Sequence, residues 1–316
     1  MLAYLVLRTA ILAGSLVVAS MITFALLSLL PGDPAQTILG VNATPDAVAT
    51  LREQLGTDRS AVVQYLDWAA GMLRGDLGTS AIGGLDIGTE ITRRLTVTVP
   101  LVLGGMTLAC LLAAPLGVLA ALQHRRPLGV LLTGLSQVGI AVPAFWSGML
   151  VITVVAVGLG VLPAGGFPRQ GWSDVGGAVQ SLILPVTVLG VAQAAIIMRY
   201  VRSSVLDVIG ADFIRTARAK GLSRWQSLRR HALRNAALPV VTVLGLQLAT
   251  LLIGSVVIEQ VFNLPGLGQL LLTSVSNRDI FVVQGVVMML AAAVLLVNFA
   301  VDVAYHLLDP RLRGHV

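Results

Sequence analysis

Charge is scarce in this sequence. Only 11% of its 316 residues are Asp, Glu, Lys or Arg, while 56% are apolar. A soluble domain carries roughly 25% charged residues, so an ordinary soluble globular chain is excluded. The apolar content excludes a disordered one. Length alone would permit about two soluble domains, but a mean hydropathy of +0.89 makes the bilayer the main solvent. Cysteine is nearly absent. Cys110 stands alone, which excludes an intrachain disulfide and a cysteine-based metal cluster. Lysine is as rare: Lys220 is the only one among 21 basic residues, and the rest are Arg. A P-loop needs Gly-Lys-Ser/Thr, and Lys220 follows Ala219, so the chain has no Walker A site. The strict alternation of a membrane β-barrel is also missing.

Long charge-free runs are what the sequence does have. A span needs about 20 apolar residues to cross a hydrocarbon core about 30 Å thick. Charge-free stretches at Thr9–Gly32, Leu95–His124, Val175–Met198, Asn235–Ile258 and Ile280–Val301 each suffice. The run Pro127–Pro168 is longer than one span, and places a helix near Val130–Leu159 followed by a turn at Pro163-Ala164-Gly165-Gly166. Backbone groups in lipid must be satisfied internally, so the expected fold is an all-α membrane protein with six transmembrane helices. The first run is longer than the ~7–15 residues of a signal-peptide core and lacks a small-x-small site before Pro31, so it is expected to be retained.

The positive charges set the topology. Arg8, the Arg125-Arg126 pair, nine basic residues between Arg199 and Arg234, and Arg311 with Arg313 all fall on one side of the six spans. The other side holds Arg169, Arg278 and the segment 33–94, which has five basic and eight acidic residues. Both termini are therefore expected in the cytoplasm. The pI near 10.4 is read as inside-positive topology and not as nucleic-acid binding. The sequence divides into a first helix at 1–32, an external insert at 33–94 and a core at 95–316. The insert carries helical stretches at Pro45–Leu55 and Ala61–Leu73, with glycine turns at Gly75–Gly78 and Gly83-Gly84.

The loop 206–235 carries the most information. Gly210 ends one helix, Asp212 suits the N-cap of the next, and Phe213–Lys220 makes about two turns. Gly221 suits the left-handed position beyond a helix C-terminus. Ser223 with Gln226 reads as a capping box opening another helix. Phe213, Ala217 and Gly221 share one face, and Arg215 with Arg218 forms a basic stripe. A solvated basic helix on anionic headgroups is one reading of this element. Docking into a protein groove through Ala217, Ala219 and Gly221 is the other.

The run Phe213-Ile-Arg-Thr-Ala-Arg-Ala-Lys-Gly-Leu222 with His231-Ala-Leu-Arg-Asn-Ala-Ala-Leu-Pro239 resembles the EAA coupling loop of ABC-importer permeases, in the form used by the peptide/nickel group. Further motifs of that group follow in order: Leu30-Pro-Gly-Asp-Pro-Ala35, Gly75-Asp-Leu-Gly78, Pro143-Ala-Phe-Trp146, Arg199-Tyr-Val-Arg-Ser-Ser204, Glu259 through Gly268, and Asp309-Pro-Arg311. The Pro-Gly-Asp-Pro element and the large first external loop resemble the "B" subunit of dipeptide or oligopeptide importers. The sequence departs from the pattern at Arg215, where the loop's eponymous Glu stands, at Thr98-Val-Pro-Leu101, and at Ser181.

The resemblance implies a type I ABC-importer permease fold and half of a translocation pathway for di- or oligopeptides. It implies a second, "C"-type permease, two ATPases carrying ATP and Mg, an external substrate-binding protein, and a bacterial inner-membrane location. It places the ATPase contact on Asp212, Arg215, Thr216, Ala217, Arg218, Ala219, Lys220, Gly221 and Leu222. Nickel and other small solutes stay open as cargo.

Polar residues inside spans are candidates for the pathway or for interhelical bonds. Gln137, Gln193, Gln247 and Asn298 qualify. Asp302, one turn from Asn298, is expected to make a structural pair. Pro143 is expected to kink its helix. Pro265-Gly266 opens a re-entrant or lid segment at Leu267–Val275 and is the candidate external gate. No metal site or cofactor is expected on this chain. A stand-alone secondary transporter would want intramembrane acidic residues, and only Asp302 comes close. A membrane serine protease would want a mid-span His near Ser147, and none is present.

Overall fold

The computed structural model describes residues 2–29, 34–40, 43–227 and 233–308. The sequence motifs at Leu30–Asp33, at Arg229, Arg230 and His231, and at Asp309 through Arg313 lie outside them. The described residues are helical almost throughout. In chain order the helices are α1 (Leu2–Ser28), α2 (Pro34–Leu39), α3 (Pro45–Leu55), α4 (Ala61–Leu73), α5 (Ile87–Leu122), α6 (Pro127–Ala141) and α7 (Ala144–Val151). Then follow α8 (Val175–Ile209), α9 (Asp212–Ala219), α10 (Arg224–Ser227), α11 (Leu233–Val261), α12 (Leu267–Ser276) and α13 (Ile280–Leu308). Of these, α1, α5, α8, α11 and α13 are each long and apolar enough to cross a bilayer.

The third expected span is not one straight helix. α6 and α7 meet at a bend of 96°. Pro143 has no N–H to continue the helix, and it pushes the residue before it toward extended backbone. Val142 is accordingly extended at ψ 122°, and its N–H closes the last turn of α6 on the Val138 carbonyl. Beyond α7 the chain widens to a π-helix at Ile152–Gly158.

Several helices outrun their charge-free stretches. α5 begins at Ile87 because Asp86 caps it, with its carboxylate accepting the Thr89 N–H at 2.6 Å. The Thr89 hydroxyl and then its N–H hold the Asp86 carboxyl below the usual aspartate range. Glu90 pairs with Arg93 and Arg94 at i+3 and i+4, so the first charged turns are helical too. α8 continues past Met198 to Ile209 and ends at Gly210.

The chain forms two compact units. The first comprises Met1–Val6, Val99–Leu264 and Val297–Val316. Its core is built on α8, which packs against α6, α7 and α11. On α5 the small residues Gly105, Ala109, Ala113, Gly117 and Ala121 recur every fourth position, a small-xxx-small face. Ala109, Ala113 and Ala121 are buried with Ile197, Met198 and Val201 of α8. A Cβ on Gly117 would stand 2.8 Å from Val201 Cβ and 2.9 Å from the Met198 carbonyl oxygen. Without a hydrophobic effect between helices in lipid, such close backbone approach is what holds them. In the same unit the Tyr4 hydroxyl donates to the Asp302 carbonyl at 3.1 Å, and the Tyr4 ring stacks on His306.

The second unit comprises Leu7–Thr98 and Pro265–Leu296. The turns after α4 use left-handed glycines at Gly75, Gly78 and Gly84. Ile87 and Ile91 of α5 are buried against Leu267, Val282 and Val286. A cavity of about 750 Å³ opens here between α4 and the start of α13, lined by Phe24, Glu53, Arg59, Trp68, Asp76 and Gln284.

Candidate coupling site and translocation residues

The loop after α8 folds as its punctuation dictates. α9 runs from Asp212 to Ala219 between Gly210 and Gly221. Gly221 takes the left-handed conformation at φ 91°, which terminates the helix with little steric cost. The capping box is closed: the Ser223 N–H donates to Gln226 Oε1 at 2.9 Å, and the Gln226 N–H donates to Ser223 Oγ at 3.2 Å. Asp212 itself is corrected by one position. The Ala211 carbonyl accepts the Arg215 N–H, so Ala211 holds the N-cap place and Asp212 is the first helical residue. There its charge still favours the positive helix start, and its carboxylate faces Arg215 at 3.5 Å. Both groups are largely exposed, so this pair contributes little.

α9 is two-sided. Ile214 joins the core of the first unit, among Ile197, Val201 and Val205. Ala217, one turn on, is also buried. This overturns the outward role expected for Ala217: an i, i+3 pair of apolar residues anchors the helix to its own chain. The exposed residues are Asp212, Phe213, Arg215, Thr216, Ala219, Lys220 and Gly221, with Leu222 half-buried. The backbone of Arg218 belongs to α9. Phe213 shares the expected helix face but is not among the contact residues that the resemblance implies. An aromatic that is 45% exposed on a short helix is the signal that adds it.

The four intramembrane amides separate. Gln193 is buried on α8 and donates from Nε2 to Gln247 Oε1 of α11 at 2.6 Å. Asn298 is half-buried on α13, and Gln137 is exposed on α6. The gate candidates stand at the head of α12. Gly266 precedes Leu267, whose N–H donates to the buried Thr98 hydroxyl at 2.9 Å. Asp279, after α12, accepts the Ser80 hydroxyl. These bonds tie α12 to α5 and to the insert within the second unit.

A set of long apolar helices with a short, two-sided helix on a charged loop defines a multi-pass membrane protein. The chain belongs to the binding-protein-dependent transport system inner membrane components, whose family pattern matches residues 113–314. The N-terminal pattern of the same transport-system membrane components matches residues 1–84. Among its relatives is the glutathione transport system permease protein GsiC of Salmonella typhimurium, 40% identical over 313 residues and covering 99% of each chain. The dipeptide transport system permease protein DppB of Escherichia coli is 38% identical over 336 residues, again covering 99% of each. In fold the chain resembles the inward-facing MetNI methionine ABC transporter, with a TM-score of 0.59 and 21% identity, over 70% of this chain and 96% of that one.

Proposed function

We propose that this permease forms half of the translocation pathway of an ATP-driven importer of di- or oligopeptides. α9 would serve as its contact with a cytoplasmic ATPase. The observation that carries the reading is the architecture of α9: Ile214 and Ala217 fix one face to the permease core, and Phe213, Thr216, Ala219 and Lys220 leave the other face free. A rigid helix so mounted transmits a push from a partner directly to α8 and α11. The peptide class is supported by relatives named for dipeptide and glutathione transport. The partners are a second permease of the "C" type, two ATPases that bind ATP and Mg, and an external binding protein. Both termini and α9 lie on the cytoplasmic side.

Gly221→Glu tests the contact. A Cβ at Gly221 meets nothing within 4 Å, so the change places a charge on the docking face without an internal clash. It abolishes dipeptide uptake and releases the ATPases while the permease still inserts. Uptake at the wild-type rate contradicts the reading. Gly221→Ala, which strains the same φ without the charge, separates the backbone effect.

A further inference from the structure

The insert between the first two spans contains a helix whose surroundings do not match those of a water-soluble lobe. α4 has the sequence Ala-Val-Val-Gln-Tyr-Leu-Asp-Trp-Ala-Ala-Gly-Met-Leu, with Asp67 its single charge. None of its residues is fully buried. Val62, Leu66 and Leu73 are 69%, 57% and 91% exposed. At 100° per residue these three fall within about 40° of one another, a single apolar stripe.

The depth of α4 is fixed by what it touches. Its Tyr65 hydroxyl lies 3.0 Å from Ser20 Oγ, and its Tyr65 and Trp68 rings pack on Phe24. Ser20 and Phe24 belong to α1, a span that runs from Ala3 to Ser28. Ser20 is eight residues from the end of that span, about 12 Å along the axis. A 26-residue span is roughly 39 Å long and exceeds a 30 Å core by about 4–5 Å at each end. The Ser20–Tyr65 contact therefore lies about 7–8 Å inside the hydrocarbon boundary. The charge at Arg8 moves the core toward Ser28 and makes the contact deeper. A helix lying in the membrane interface buries its apolar face by about 5–10 Å, so the two depths agree.

The rest of α4 is arranged to suit that depth. Tyr65 and Trp68 form the face toward α1, adjacent to the stripe on the helix circumference. Aromatic residues of this kind concentrate at membrane interfaces. Gln64 and Asp67 lie on the side opposite the stripe. Their polar groups are taken by the preceding loop: Gln64 Nε2 donates to the Arg59 carbonyl at 2.8 Å, and Asp67 pairs with Arg59 at 3.1 Å. No strong polar group is left on the side that faces away from α1 and the loop.

We propose that α4 is an interfacial helix embedded in the bilayer leaflet beside α1, with Val62, Leu66 and Leu73 in contact with lipid acyl chains. This inference rests only on α1 spanning the membrane, and it holds for any cargo. The insert is then anchored to the lipid surface at its middle helix.

The test uses the full permease, assembled with its partners, in phosphatidylethanolamine–phosphatidylglycerol nanodiscs. Spin labels at Val62→Cys, Leu66→Cys, Leu73→Cys and Asp67→Cys are compared in a Cys110→Ser background. The three stripe positions relax more with oxygen than with an aqueous nickel chelate, and Asp67→Cys shows the reverse. Chelate access equal to or above oxygen access along the stripe overturns the proposal. So does protection from both reagents, which would place a protein partner on the stripe. Benzoylphenylalanine at Leu66 gives a second arm with Cys110 intact. It yields lipid adducts on illumination, whereas adducts confined to protein overturn the proposal.

Discussion

Gln193 on α8 and Gln247 on α11 hold each other through one amide–amide hydrogen bond of 2.6 Å. Two residues that sequence alone marks as separate candidates for the translocation pathway are thus one interhelical pair. The pair joins two of the helices that pack on each other in the first unit. Hydrogen bonds between membrane helices contribute about 0.6 kcal/mol on average and up to about 1.7.

A double-mutant cycle on this pair follows. Gln193→Leu and Gln247→Leu each leave a partner amide unsatisfied, and the double mutant leaves none. The expected coupling energy is about 0.6–1.7 kcal/mol in unfolding of the purified permease. Solute uptake by the assembled transporter is higher in the double mutant than in Gln193→Leu. Strictly additive losses in both assays would mean that the two side chains act separately.

Gly117 makes a second prediction. Its Cβ position lies 2.8 Å from Val201 Cβ and 2.9 Å from a backbone oxygen, so α5 and α8 cannot both stay in place around an alanine. Gly117→Ala should destabilise the permease by about 1–3 kcal/mol, the usual cost of overpacking. Gly134→Ala on α6 is the control, because nothing lies within 4 Å of that position. Thermal unfolding in detergent separates them: the first lowers the midpoint and the second leaves it unchanged or raises it. Equal midpoints for both variants would remove the small-residue face from the account.

The cap of α5 is pH-dependent. Asp86 has a carboxyl held below its ordinary range by Thr89. A depressed native value means that the cap stabilises fully above the unfolded value and is lost as pH falls through the native one. Asp86→Ala should therefore narrow its stability deficit against wild type in acid and show it in full at neutral pH. Hydrogen exchange of the first turn of α5, followed from pH 7 downward, reads this directly. A deficit that does not change with pH would assign the Asp86 effect to something other than its charge.

Much of the fold is legible in the sequence because local rules decide it. Pro45–Leu55 and Ala61–Leu73 are helices with the bounds their punctuation gives. Gly221 and the Ser223–Gln226 box behave as their residue types require. What escapes the sequence is set by partners distant along the chain. Pro143 announces a break but not an angle of 96°, which depends on what α7 packs against. Ala217 looks free for docking until Ile214 is seen in the core; the rotation of a two-turn helix is fixed by its anchor. Charge-free windows end α8 at Met198, yet the helix runs on through Arg199 and Arg202 to Ile209, since a helix need not stop where the membrane does. Tyr65 and Ser20 are 45 residues apart, and no spacing rule pairs them.

Lys220 offers the most direct test of α9 as the ATPase contact. It is the only lysine in the chain, and it is exposed at the end of α9. In the assembled transporter a short amine-reactive cross-linker can therefore join this permease to a partner only through Lys220 or the N-terminal amine. If α9 is the ATPase contact, cross-linked peptides from the intact complex pair Lys220 with an ATPase, and Lys220→Arg removes them. An intact, transport-competent complex in which Lys220 is modified but never linked to an ATPase would contradict it.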